Sequence, residues 1–380
     1  MLNLFKRKKL ETRARFESNH WGEAGRPRGA TSPRQAEQLS TVSACVSLIS
    51  SSIASLPAYV YRETEKGKEL QSKHPLARLI KCGPNELQTW PGFVESLIAS
   101  TLLTGNGLAI IERDTAGQVQ ALRFVPWSFV TVLVLRSGRV AYDVQNEPTG
   151  GLIWPCGRYL AGDVLHLRDR SDNGVVGVSR LRRASQVLEM GLTVNDFAQS
   201  WFDRGMSPSG ILETDLDMSP HQEESLHRSF ESSYAGSTRA GRMMLLSGGL
   251  KYKSQSTTAE DGELLTSRKF TTEEICRIFG VSPIMVADLS RGTFTNSVEM
   301  GRQFVRLCLQ SWIEKFRAEV ARSVFAGDDC FDHCLDFDLS SFMRADDLAR
   351  WQSHKLAIDA QILTANEVRE IEGYNSLPGV

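Results

Sequence analysis

SVEMGRQFVRLCLQSWIEKFRAEVARSVF, residues 297–325, is the longest helical stretch in this chain of 380 residues. Phe304, Val305, Cys308, Leu309, Trp312, Ile313, Phe316, Val320 and Val324 recur at three-to-four spacing along one side, while Arg302, Arg306, Lys315, Arg317 and Arg322 lie largely off that stripe. Such a pattern is an amphipathic helix with one face for a core. Immediately before it, DLSRGTFTN at 288–296 is polar, rich in turn formers and aperiodic, so it separates two helices. Upstream of that loop, Ser282-Pro283 begins a turn and 263–279 reads as a helix closed by Gly280. Downstream, a last helical unit runs over 341–373 and breaks near Thr364, where Thr-Ala-Asn-Glu is a capping box.

The N-terminal half mixes both periods. Val42, Cys45, Val46, Ile49 and Ile53 predict a helix over Thr41 to Leu56 that Pro57 ends, followed by a short strand from Ala58 to Arg62. Trp90-Pro91 opens a second helix that buries Phe93, Leu97, Ile98 and Leu102 and stops at Gly105-Asn106-Gly107. From Leu108 to Leu167 the pattern turns to period two, with runs at 108–112, 119–124, 129–135, 139–144 and 164–167 divided by turn residues, which predicts a β-rich meander. Helical spacing returns over Ser179 to Gly205, and Ser219-Pro220 starts a further helix. Met243–Leu246 and Lys251–Lys253 read as a hairpin around Ser247-Gly248-Gly249. The fold class is therefore α+β.

Composition bounds what such a chain does. With 44 Lys+Arg against 45 Asp+Glu and 41% hydrophobic residues, it can bury enough surface to fold, and it is less basic than a free-standing DNA-binding domain. The apolar run from Ala121 to Leu135 is broken by Arg123, Pro126 and Ser128, so no segment reaches the roughly 18–20 residues of a membrane span. The start, MLNLFKRKKLETRAR, has no apolar stretch behind its basic run, against a secretory signal, and seven scattered Cys fit reduced thiols. Charge is uneven: residues 1–40 hold nine Lys/Arg and four Glu, residues 328–380 eleven Asp/Glu and four Lys/Arg. Solvated ends, or ends facing different surroundings, both account for that.

Chemistry-bearing motifs are absent from the sequence: no GxxxxGK[ST] phosphate loop, no HExxH, no GxSxG, and no CxxC with a distant partner. Cys330-Phe331-Asp332-His333-Cys334 offers soft ligands within five residues but lacks the second pair that closes a zinc site, and reads as reduced thiols in a turn. The carboxylate pairs Asp215/Asp217 and Asp336/Asp338 read as solvated faces, and His74 and His166, beside apolar residues, as structural groups. A structural or interaction role follows, with no catalytic residue, cofactor or resident metal. Two other classes stay open: a metal-dependent hydrolase or nuclease using His333, Cys334, Asp336 and Asp338, and a monomeric adaptor.

Taken in order, the segments resemble the portal proteins of tailed bacteriophages, in the compact siphovirus form. The resemblance rests on STVSACVSLISSSIASLPAYVY at 40–61, HPLARLIKCGPNELQTWPGF at 74–93, LLTGNGLAII at 102–111, LRFVPW at 122–127 and VLHLRDRSDNGVVGVSRL at 164–181. It continues through WFDRGMSPSGIL at 201–212, FTTEEICRIFGVSPIMV at 270–286, FTNSVEMGRQFVRLCLQSWIEKF at 294–316 and LTANEVREIEGY at 363–374. It implies a portal fold that forms a ring, usually of twelve subunits. Its parts would be a flexible arm at 1–38, a wing at 39–180, stem helices at 181–205 and 257–281, a clip at 206–256 and a channel loop at 282–296. A long helix at 297–326 returns to the wing, and a connection at 327–339 leads to a short crown at 340–380. The implied function is passage of double-stranded DNA through a capsid vertex during packaging and ejection, with no membrane involved. The implied location is the virion, after assembly in the bacterial host cytoplasm, with terminase, capsid or scaffold proteins and head-completion proteins as partners. The loop residues facing DNA would be Ser290, Arg291, Gly292, Thr293, Thr295 and Asn296. The partner-facing clip residues would be Glu213, Asp215, Asp217, Glu223, Glu224, Arg228 and Arg239.

Overall fold

A computed structural model describes residues 32–65, 67–146, 154–203, 211–213, 219, 221–222, 224–225, 228, 251–253, 271–286, 297–325, 329–339, 347–372, 374–375 and 377. In chain order the elements begin with α1 (Ser40–Ala54), β1 (Ala58–Thr64), β2 (Gly67–Leu70), α2 (Pro75–Cys82) and α3 (Trp90–Thr104). Six strands follow: β3 (Asn106–Arg113), β4 (Val119–Val125), β5 (Val130–Val134), β6 (Val140–Val144), β7 (Gly157–Leu160) and β8 (Val164–Arg168). Next come α4 (Ser185–Asp203), β9 (Ile211–Glu213), β10 (Lys251–Lys253) and α5 (271–279). The long helix α6 is α-helical over Ser297–Phe304, π-helical over Val305–Leu309 and α-helical again over Gln310–Ser323. It is followed by β11 (His333–Phe337), α7 (Asp347–Asp359) and α8 (Ala365–Ile371).

The chain divides into two compact units, residues 45–180 with 280–380, and residues 26–44 with 181–279. The first holds three antiparallel sheets, in the orders β11-β1-β2, β4-β3-β8 and β5-β6-β7. Leu108, Ile110, Val125 and Val164 of one sheet pack with Tyr142 and Val144 of another and with Trp154, giving this unit a core. The α1 residues Val42, Cys45, Val46, Ile49 and Ile53 are all buried, as their spacing predicts. In α3, Thr89 caps the first turn by accepting from the Gly92 N–H, and Gly105 closes the last in the left-handed region, at φ 86°. A Cβ on Gly105 would stand 2.6 Å from the Ser179 backbone nitrogen, so both conformation and space require glycine there.

Two features depart from the sequence reading. Cys330–Cys334 is not a turn: Asp329–Asp332 is one turn of helix and His333–Phe337 is a strand, paired antiparallel with β1 from Ala58↔Phe337 to Arg62↔His333. Five residues of mixed polarity carry little periodic signal, and their partner lies some 270 residues away, so the pairing had no local signature. The strand Lys251–Lys253 pairs with Ile211–Glu213, while Met243–Leu246, its expected partner, lies outside the described residues. The second departure is the π turn. Phe304, Cys308, Trp312, Phe316 and Val320 recur every four residues, and each such step on an α-helix drifts by about 40°. One wide turn absorbs an extra residue and keeps the stripe on the core.

In the second unit, α4 and α5 pack closely at Gly191, where a Cβ would stand 2.8 Å from Thr271 Cγ2. At Ser219 the Gln222 carboxamide oxygen accepts the Ser219 N–H at 3.0 Å, the reciprocal half of a capping box. In α8 the capping box is formed, with Thr364 N–H to Glu367 Oε2 at 2.7 Å and Glu367 N–H to Thr364 Oγ1 at 3.2 Å.

Candidate functional site

All six predicted loop residues, Ser290, Arg291, Gly292, Thr293, Thr295 and Asn296, lie outside the described residues. Their anchors are described. On one side Val281 is buried and the turn Pro283–Val286 closes with Met285 N–H to Ser282 O at 2.9 Å. On the other side α6 leaves the loop and runs into the core of the first unit.

The far half of α6 is held by its apolar face and by several polar ties. Trp312 is fully buried, and the Arg180 guanidinium and Lys315 ammonium lie over its ring at 5.0 and 4.7 Å. Both cations converge on the buried Asp169: Arg180 Nε to Oδ2 at 3.1 Å, Lys315 Nζ to Oδ1 at 3.3 Å. One turn on, Glu319 accepts from the His166 backbone N–H at 3.0 Å and is paired by Arg322. At the helix end Arg113 donates to the terminal carbonyls of Ser323 and Val324, at 2.5 and 3.2 Å, where cations suit the helix dipole. Burial lowers the pKa of that guanidinium from its ordinary value.

His166 is the hinge of a buried polar chain. Its Nε2 lies 3.0 Å from Asn106 Oδ1, an atom that can only accept and that also takes the Gly177 N–H at 2.8 Å. Nε2 therefore carries the proton, and Nδ1 accepts from the Tyr142 hydroxyl at 2.9 Å. Asn106 completes the circuit by donating to Gly177 O at 2.9 Å, and Trp127 stacks on the imidazole at 5.1 Å. Burial, with Arg168 and Arg322 adding like charge, lowers the His166 pKa to about 3, so the ring is neutral. His166 is structural, as expected. Asn106, read from the sequence as part of a turn, is a central link; an Asn between two glycines at the mouth of an apolar run was the available signal.

The loop-proximal half of α6 has a different surface. Arg302, Gln303, Arg306, Leu307 and Gln310 are exposed, Leu307 by 74%. Arg302 and Arg306 have no ion pair among the described residues, whereas Arg62, Arg123, Arg158, Arg180, Arg317 and Arg322 all do.

Of the predicted clip residues, Glu213 lies at the end of β9, in register with Lys251 of β10. Glu224 and Arg228 are exposed and form an i,i+4 ion pair at 2.6 Å. Asp215, Asp217, Glu223 and Arg239 lie outside the described residues. The structure thus brings together Glu224 and Arg228 and tests no wider constellation.

The residues proposed for metal chemistry do not converge. Strand alternation sends His333, Leu335 and Phe337 to one face of β11 and Cys334 and Asp336 to the other. His333 stacks near His74 and Phe325, at 5.2 and 6.1 Å, whereas Asp336 is engaged by Lys68 at 3.0 Å and Arg317 at 3.8 Å. Lys68 has its pKa raised, chiefly by that bond to Asp336. Among the described residues no group of three His, Cys, Asp or Glu could hold a metal ion. Cys45, Cys82, Cys156, Cys276, Cys308 and Cys334 are thiols, and burial pushes Cys308 up to about 11. No described helix is long and apolar enough to cross a membrane.

A model of the family described as phage portal protein matches residues 40–373. The chain is 27% identical over 347 residues to the portal protein of Enterobacteria phage HK97, covering 90% of this chain and 80% of that one. Its fold is similar to a chain in the virion of a native gene transfer agent particle, with TM-score 0.63 and 22% identity over 92% of this chain and 95% of that one. It is also similar to a chain in the neck of the native gene transfer agent particle computed with C12 symmetry, with TM-score 0.59 and 22% identity over 94% and 97% of the two chains.

Proposed function

The chain belongs to the phage portal protein family, and from that premise we propose that it is the portal subunit of a capsid vertex: a closed ring, of twelve copies, whose central channel passes double-stranded DNA during packaging and ejection. The observation that carries this is the family match over 40–373, supported by a fold shared along more than nine-tenths of the chain with subunits of virion and neck particles. In this reading the first unit is mainly wing and crown, and α4 and α5 of the second are the stem that leads to the clip. The role is structural, and the pumping work falls to a separate terminase. Electron microscopy of the purified protein tests the ring directly; particles of monomer size alone, at every concentration and with scaffold proteins supplied, would sink it.

The channel loop, 282–296, supplies the DNA contact. Arg291 is its one cation and touches phosphates transiently, Gly292 lets the backbone yield, and Ser290, Thr293, Thr295 and Asn296 offer exchangeable hydrogen bonds that read no sequence. Weak contact suits passage, because each neutralised phosphate adds affinity through counterion release. The locked far half of α6 supports this reading, since a loop that feels the moving duplex needs a fixed base. Arg291→Ala should leave rings intact and alter DNA translocation or retention without changing sequence preference. If residue 291, carrying a photo-cross-linker, labels only protein in filled heads, the loop assignment is wrong.

The clip meets terminase during packaging and head-completion proteins afterwards. Charge reversal at Glu213, Asp215, Asp217, Glu223 and Glu224 should abolish packaging while leaving rings of normal size; normal packaging by such rings counts against it. Assembly takes place in the bacterial cytoplasm, and the virion holds the finished ring.

A further inference from the structure

We infer that the loop-proximal ridge of α6 is an intersubunit contact, and that its partner is the exposed stripe of α4 on a neighbouring copy; the inference rests on the ring proposed above. The α6 ridge has an apolar centre, Leu307, 74% exposed, flanked by Arg302 and Arg306, which have no ion-pair partner among the described residues, and by Gln303 and Gln310. A duplex would satisfy the arginines but leave the leucine against phosphates and water. A protein surface with acids around an apolar residue would satisfy both.

The stripe of α4 has that composition. Asp196 and Thr193 are exposed and Glu189 is half-buried beside them, all within about 60° on a helix of 3.6 residues per turn. Met190, 42% exposed, adjoins them. Neither Glu189 nor Asp196 has an ion pair within the chain among the described residues. Several other acids of the first unit already have cations: Asp332 has Arg62, Asp336 has Lys68 and Arg317, Glu86 and Glu112 share Arg123, and Asp143 has Arg158. Two acidic positions two turns apart, with a methionine beside them, complement two arginines one turn apart around a leucine. Because the two surfaces differ, the contact is heterologous, the kind that closes a ring.

A charge swap tests the pairing. Arg302→Glu with Arg306→Glu in one variant, and Glu189→Arg with Asp196→Arg in another, should each raise the concentration at half-assembly by roughly tenfold or more, since like charges would then face each other. The variant carrying all four changes should recover ring assembly, with unchanged circular dichroism and melting as the folding control. Intact assembly in either two-residue variant overturns the inference, as does a four-residue variant that folds but does not recover. If the unmodified chain forms no ring, the portal reading itself fails and takes this contact with it, an outcome distinct from a ring indifferent to these residues.

Discussion

Trp312→Ala is expected to lower unfolding stability by about 3–5 kcal/mol, the range for removing a large buried aromatic. The indole is fully enclosed, with Trp90, itself in contact with Phe316, among the buried rings of the same unit. Truncation also removes the face on which Arg180 and Lys315 rest, and those two cations keep the buried Asp169 neutralised. The loss is thus a cavity together with a loosened charge cluster. Trp312→Phe separates the two, because the indole N–H has no hydrogen-bond partner among the described residues and the ring face is retained. That variant should cost about 1–2 kcal/mol, a modest volume change. Urea unfolding of both variants checks this, and an alanine variant within about 1 kcal/mol of the unmodified protein would contradict it. On the proposed reading, in which α6 is the base of the channel loop, the alanine variant should also pack DNA poorly wherever it still assembles.

Acid should weaken the first unit through His166. Folded, its pKa is lowered to about 3, against 6.5 for the ordinary ring, because burial, with the like charge of Arg168 and Arg322 beside it, disfavours the imidazolium. Below pH 6.5 the unfolded chain takes up a proton that the folded chain refuses. Stability from this group is therefore complete above pH 6.5 and falls, as pH drops to about 3, by about 1.4 kcal/mol per unit, or about 5 kcal/mol in all. Tyr142→Phe removes the hydroxyl donated to the neutral ring, so the folded pKa should rise and the acid-sensitive window should narrow from its lower end. His166→Gln should remove this one-proton slope. Urea midpoints between pH 7 and pH 4 provide the check, and equal slopes with and without His166 would rule the mechanism out.

Most elements were legible from the chain alone because they are local. The stripes of α1 and α3, the runs that became β3, β4, β5, β6 and β8, and the caps at Thr89, Ser219 and Thr364 each depend on residues a few positions apart. The candidate loop and clip residues were identified differently, by resemblance: polar, glycine-rich segments carry no period, so nothing in residues 288–296 alone separates a channel loop from a surface turn. The stripe recurring every four residues in α6 was plain in the sequence, and only packing turned it into a π turn. It took the core to penalise a face that would otherwise drift away from it.

Tertiary structure decided what distant residues do to one another. No local pattern joins β1 to β11, or makes Asp169 the shared partner of Arg180 and Lys315. Nor does any local pattern set Asn106, His166, Tyr142, Gly177 and Glu319 into one circuit spanning more than 200 residues of chain. Periodicity records which side of an element turns from water, a matter of a few neighbours. Which buried donor meets which acceptor depends on how the buried faces stack, because the cost of leaving a polar group unpaired exists only once the stack has excluded water.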